Sequence, residues 1–220
     1  MNFSQIFSAY PELLQGAKTT AIIFVIAVAF GITFGSLLAL ARNSKNKLIS
    51  LPAMAYINTF RSIPLIMVLL GFYLAIPTFL KSLGFTDIAL PSAVISFCLF
   101  ESAYFAEVIR SGINGVSPNQ TAAAKSLGLS KWQTNWLVVL PQAFKNSRKS
   151  LIDQCKSLLQ DTPLVYVIGL ADWFTTAVHI GDRNGHIESG VMVATIGFIV
   201  ACLIFQKLAN KFNNNKGETA

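Results

Sequence analysis

Residues 21–41, AIIFVIAVAFGITFGSLLALA, contain no charged side chain. A helix needs about 20 predominantly apolar residues to cross the hydrocarbon core of a bilayer. Within that core each backbone N–H and C=O must find its partner inside the protein, so a run of this kind is read as a helix. The tripeptide Ala39-Leu40-Ala41 mimics a signal-peptide cleavage site. Only Lys18 supplies a basic residue ahead of the run, however, and the run is too long for the apolar part of a signal peptide. It is therefore expected to be a true first span. Its small residues Ala27, Gly31, Gly35 and Ala39 recur every fourth position and invite close approach of another helix.

Charged residues make up 12% of the 220-residue chain, and mean hydropathy is +0.56. Soluble domains carry about 25% charged residues. The expected fold class is an all-α membrane protein of five transmembrane helices, at 17–41, 53–76, 91–110, 144–170 and 189–208. Residues 1–16 read as a surface lead, 17–208 as the five-span domain and 209–220 as a cytoplasmic tail. Pro64 is expected to kink the second span, and 171–188 to form a polar loop.

The net charge of +7 would suggest nucleic acid as a partner of a soluble protein. Here the basic residues fall between apolar runs, so they report topology, and no nucleic-acid partner is expected. With the N-terminus outside and the C-terminus inside, the inner side holds Arg42, Lys45, Lys47, Arg110, Lys125, Lys131, Lys145, Arg148, Lys149, Lys207, Lys211 and Lys216. The outer side holds Lys18, Lys81 and Arg183, while Arg61 and Lys156 fall within spans. That asymmetry follows the positive-inside rule.

Enzyme chemistry finds no support in the sequence. No G-x-x-x-x-G-K-[ST] stretch is present, so no P-loop ATP site is expected, and no nucleophile–base set is apparent. Cys98, Cys155 and Cys202 lie in apolar segments without metal spacing and read as small buried side chains. His179 and His186 match no metal pattern and read as surface residues.

One stretch departs from the membrane pattern. In SPNQTAAAKSLGLSKWQTNWLVVLPQ, residues 117–142, Ser117 suits an N-cap, Pro118 a first helical position and Gln120 a capping box. Gly128 suits the left-handed position that ends a helix. Ser130 and Gln133 then repeat the box, with the second helix continuing until Pro141. The segment lies on the cytoplasmic side in the expected topology. Thr121, Ala122, Ala123 and Ala124 give the first helix a surface of small side chains. Such a pair is either a connector lying on the membrane or a docking element for a cytoplasmic partner.

The stretch AAAKSLGLSKWQTNWLVVLPQA resembles the EAA loop of permease subunits of binding-protein-dependent ABC importers. That motif reads Glu-Ala-Ala, three residues, Gly, nine residues and Ile-x-Leu-Pro. Ala123 and Ala124 match its alanines, Gly128 its glycine, and Val138, Leu140 and Pro141 its ending. Ala122 stands where the glutamate usually does, which puts one polar contact to the ATPase in doubt. FRSIPLIMVLLGFYL, ESAYFAEVIRSGI and QDTPLVYVIGLADWFTTA also resemble permeases for polar amino acids, most of all glutamate/aspartate subunits. The resemblance implies coupling helices at 117–141, with Ala123, Ala124, Gly128, Leu140 and Pro141 seated in a cleft of an ABC ATPase dimer. It also implies a second permease subunit, identical or homologous, an extracytoplasmic amino-acid-binding protein and a bacterial inner-membrane location. ATP and magnesium would sit on the ATPase, with no cofactor in this chain. The loop 171–188, with Asp172, Asp182, Arg183 and Glu188, would offer a docking surface to the binding protein.

Ionisable groups inside membrane lipid are costly and mark functional candidates. At about 100° per residue, Asp153, Lys156, Ser157, Gln160 and Asp161 share one sector of the fourth span, while Leu151, Leu158 and Leu159 fall outside it. Asp153 and Lys156 form either an internal ion pair or part of a translocation lining. Asp161 and Thr162 precede Pro163, which frees backbone carbonyls; they are either structural caps or, as the resemblance implies, residues near the substrate path. Arg61 suits a substrate carboxylate, or pairs structurally with Glu101 or Asp161. Glu101 and Glu107 are further partners for it, and Glu107 also suits a place beside Arg110. The expected substrate-path set is Arg61, Glu101, Gln160, Asp161 and Thr162. The expected activity is ATP-driven import of glutamate or aspartate by alternating access. Glutamine, histidine, arginine or cystine import, and a channel or secondary transporter, are the alternatives.

Overall fold

The computed structural model describes residues 8–82, 84 and 86–214. Residues 1–7 of the expected lead and 215–220 of the expected tail lie outside the described residues. The elements are α1 (Tyr10–Arg42), α2 (Lys47–Ser62), α3 (Leu65–Ala75), α4 (Pro77–Ser82), α5 (Ala89–Asn114), α6 (Pro118–Ser126), α7 (Lys131–Gln133), a π-helical turn (Thr134–Val139), α8 (Leu140–Asn146), α9 (Arg148–Asp161), a 3-10 segment (Thr162–Ile168), α10 (Trp173–Arg183) and α11 (Ile187–Asn214). No strand occurs among the described residues. Three helices, α1, α5 and α11, are long and apolar enough to cross a membrane. Two bent pairs, α2 with α3 and the Arg148–Ile168 segment with α10, pass the same test as broken spans.

The described part of the lead does not stand apart from the first span. α1 starts at Tyr10 and runs unbroken to Arg42, because Pro11 falls in the first turn, where its missing N–H costs nothing. The second span departs further from a kink. α2 and α3 meet at 105°, and the residue before Pro64, Ile63, is extended at φ −104°, ψ 136°. The proline ring excludes the helical region for its predecessor, so the chain turns a corner. α2 also begins earlier than expected, at Lys47, where the Asn46 side chain accepts a bond from the Leu48 N–H at 3.0 Å.

The described chain forms two compact units. One comprises residues 26–68 and 96–155. Its core joins Leu38, Ala53, Ile57 and Ala106, flanked by Phe34, Ala41 and Tyr56. The four-residue stripe of α1 is used here: Ala27 and Ala39 are fully buried. A Cβ on Gly31 would stand 2.6 Å from the Phe105 ring, so only glycine admits that ring. The Tyr56 hydroxyl satisfies itself on the Leu99 carbonyl at 2.8 Å and Ser102 Oγ at 2.9 Å.

The other unit comprises the described residues within 1–25, 69–95 and 156–220. Its core joins Leu13, Ala177, Ile180, Val193 and Ala194, with Trp173 and Phe174 packed against it. Residues 173–183, expected within a loop, are helix α10. Asp172 caps it, accepting from the Thr175 N–H at 2.8 Å, and its apolar face meets α11. The Trp173 Nε1–H donates to the Ala194 carbonyl at 3.1 Å, while the Trp173 backbone N–H donates to Thr20 Oγ1 at 3.1 Å. Cys98, Cys155 and Cys202 are free thiols, all buried.

Candidate functional site

Three groups of polar or exposed residues stand out from the apolar framework. The first centres on Glu107, on α5. Arg42 Nη1 approaches Glu107 Oε2 at 2.7 Å, Arg110 Nη2 approaches Oε1 at 2.5 Å, and Arg61 Nη1 lies 3.9 Å from Oε2. The Arg61 guanidinium also lies 5.5 Å from the centroid of the Tyr104 ring, a cation–π distance. Of the partners expected for Arg61, the one it meets is Glu107, because its position at the C-terminal turn of α2 brings it there. The Arg110 pairing was legible as an i, i+3 spacing. The Arg42 arm was not, since 65 residues separate it from Glu107.

Glu101 is fully buried one face away on the same helix. Its Oε2 accepts from Gln154 Nε2 at 2.8 Å. This arrangement stitches α5 to α9, and sequence periodicity gave no signal for Gln154 as the partner.

The second group is the polar face of α9. Asp153, Ser157 and Gln160 are exposed, Lys156 and Asp161 half-buried, and Leu158 fully buried. Asp153 and Ser157 thus point away from this chain's own packing, while Lys156 and Asp161 are partly covered by it. No salt bridge among the described residues involves Asp153, Lys156 or Asp161, so the i, i+3 ion pair, one of the two readings of Asp153 and Lys156, is absent among them. Thr162 is buried, and its Oγ1 donates to the Leu159 carbonyl at 2.8 Å, tightening the helix end where the 3-10 segment begins. Gln160 and Lys156 line a cavity of about 420 Å³.

The third group is the helix pair. Gly128 turns the chain at φ +80°, a conformation that strains any side chain. The second capping box is complete: the Ser130 N–H donates to Gln133 Oε1 at 2.9 Å, and Gln133 N–H to Ser130 Oγ at 3.3 Å. The first box is absent, for Ser117 makes no side-chain cap bond, and Gln120 is instead drawn away, accepting from Gln142 Nε2 at 3.3 Å. Helical winding does not stop at Pro141 but continues into α8. A π-turn precedes the proline, with the Leu140 N–H bonding to the Asn135 carbonyl. Such a widened turn accommodates the missing donor.

Of the expected coupling residues, Ala123, Gly128 and Pro141 are exposed, whereas Ala124 and Leu140 are buried. Leu140 therefore supports the pair from within. The surface offers residues that the sequence reading passed over: Leu127 is 81% exposed, Leu137 66% and Trp132 63%. Trp132 and Trp136 lie with ring centroids 5.2 Å apart. Their spacing of four on one helix face was the available signal. Ala122 is exposed, so the position usually held by glutamate faces outward.

The chain matches the family described as binding-protein-dependent transport system inner membrane component over residues 31–215. It is 44% identical over 205 residues to the glutamate/aspartate import permease protein GltK of Escherichia coli, covering 91% of this chain and 92% of that protein. It is 30% identical over 204 residues to the arginine transport system permease protein ArtQ of Bacillus subtilis, covering 93% and 92%. Among solved structures, it superposes on a chain of an amino acid ABC transporter crystallised with histidines with a TM-score of 0.84 at 30% identity, covering 98% of this chain and 99% of that one. A chain of the MetNI methionine ABC transporter in an inward-facing form gives 0.76 at 17% identity over 91% and 94%, a likeness of fold alone. The all-helical fold, the membrane-spanning helices and these matches lead to one assignment: the chain belongs to the binding-protein-dependent transport system inner membrane component family and is an ABC importer permease.

Proposed function

We propose that this permease carries an acidic amino acid, glutamate or aspartate, inward across the membrane, driven by ATP hydrolysis on a separate ATPase. The observation that carries the energy-coupling part is the bent helix pair, on which Leu127, Trp132 and Leu137 each expose an apolar side chain. A surface of that kind on the cytoplasmic side fits a protein groove. The substrate class rests on the similarity to the glutamate/aspartate permease.

In this reading the chain has five spans with the N-terminus outside, the two bent pairs each counting as one. An ABC ATPase dimer, carrying ATP and magnesium, receives Ala123, Gly128 and Pro141 with their apolar neighbours, while buried Ala124 and Leu140 keep the elbow stiff. A second permease subunit covers the polar face of α9, because that face cannot meet lipid. The path runs along Gln160 and Asp161, with Thr162 fixing the turn, and Arg61 and Glu101 serve as scaffold charges. A binding protein delivers the amino acid from outside, and the spans alternate between outward and inward access.

Copurification tests the coupling. Leu127→Asp places a charge in the proposed groove and is expected to lower ATPase recovered with the tagged permease at least tenfold. Unchanged recovery would remove the docking role of the pair.

A further inference from the structure

The cavity beside α9 is open on one side and lined mainly by apolar side chains, Phe174 and Phe198 among them, with Lys156, Gln160, Thr195 and Gln206 as its polar groups. Its volume of about 420 Å³ falls in the usual range of small-molecule sites, about 300–1,000 Å³. Lys156 is half-buried there. No hydrogen bond or ion pair among the described residues engages its ammonium. An ammonium in a membrane segment is costly unless an anion meets it, and apolar walls strengthen any charge pair formed there.

The other polar groups complement the remaining parts of an amino acid. The amides of Gln160 and Gln206 each provide both donors and an acceptor. Thr195 Oγ1 already donates to the Val191 carbonyl at 2.8 Å, so it offers only lone pairs, which suit a substrate ammonium. The cavity thus presents one cation, two amides and an acceptor among apolar side chains.

We infer that Lys156 is the specificity-determining counter-ion for the side-chain carboxylate of the transported acidic amino acid, held in the cavity formed with Gln160, Thr195 and Gln206. The inference rests on the acidic-substrate reading above and deepens it. Arg61, the residue first expected in this role, is engaged by Glu107, whereas Lys156 is uncommitted among the described residues.

The test is equilibrium binding of radiolabelled L-glutamate to the intact permease–ATPase complex in nanodiscs, without binding protein. Wild type is expected to bind glutamate, and to prefer it over its uncharged isostere L-glutamine by about 10- to 100-fold, the value of one charge-assisted bond. Lys156→Gln is expected to lose that preference, and Lys156→Arg to keep most of it. Wild type that binds another amino acid and no acidic one overturns the substrate reading and this inference together. Wild type that binds glutamate, with Lys156→Gln binding it equally well, overturns the inference alone. So does equal loss in Lys156→Gln and Lys156→Arg. If Lys156→Gln fails to assemble, the wild-type glutamate-to-glutamine ratio decides: a ratio near one overturns the inference.

Discussion

The Glu107 cluster and the polar face of α9 treat charge in opposite ways. Around Glu107, three arginines from α1, α2 and α5 converge on one carboxylate, so the cost of taking charges out of water is repaid within the chain. Along α9, Asp153, Lys156 and Asp161 have no salt bridge among the described residues, and Asp153 points outward. A charge that the fold satisfies itself acts as a tie between helices. A charge that the fold leaves unsatisfied in a membrane segment needs something from outside the chain: water, a second subunit or a substrate.

The sharpest way to break that contrast is Glu107→Ala. It leaves three arginines facing one another, and losing the shared partner of a partly buried, charge-assisted cluster costs about 1.5–3 kcal/mol. The expected outcome is a large drop in the thermal unfolding midpoint of the purified complex, followed by a fluorescence melt. Survival near the wild-type midpoint would mean that the cluster ties nothing together. Arg61→Ala is expected to fall well below this. Its arm is long at 3.9 Å and 39% exposed, so only about 0.5–1 kcal/mol is at stake, part of it the stacking on Tyr104. A small shift of the same melt, with acidic amino-acid uptake largely retained in proteoliposomes, fits a scaffold role; abolished uptake at wild-type stability would return Arg61 to the path. Gln160→Leu completes the series. It removes an exposed amide from α9, and the expected stability change is within about 0.5 kcal/mol, while uptake in the same vesicles falls. Unchanged uptake would detach the α9 face from transport.

Much of this architecture was written in local pattern. Long uncharged runs located the helices that cross a membrane, and the four-residue stripe of α1 announced the close packing against Phe105. Gly128 and the Ser130–Gln133 box marked the elbow, because a positive φ and a capping box need only neighbours in sequence. What stayed hidden depended on distant partners. Residues 173–183 read as a loop since their charges mask an apolar face that matters only once α11 covers it. The corner at Ile63 was underestimated because a proline signals a break without its angle. Ser117 lost its cap partner when Gln120 was drawn to Gln142, a residue on another element. For the candidate site, the polar face of α9 was visible as a helical sector. That Arg61 pairs with Glu107 and that Lys156 borders a cavity were decided by three-dimensional packing.

The widened turn at Thr134–Val139 fixes the rotational phase of the elbow. It holds one residue more than α-helical winding would need, so the exposed Trp132 and the buried Leu140 share one helix without sharing one face. Winding the same six residues as ordinary α-helix would swing everything upstream by about 100° about the axis. The tryptophan pair would then face a different direction, with every side chain still present. In this segment spacing is as much a part of the message as composition.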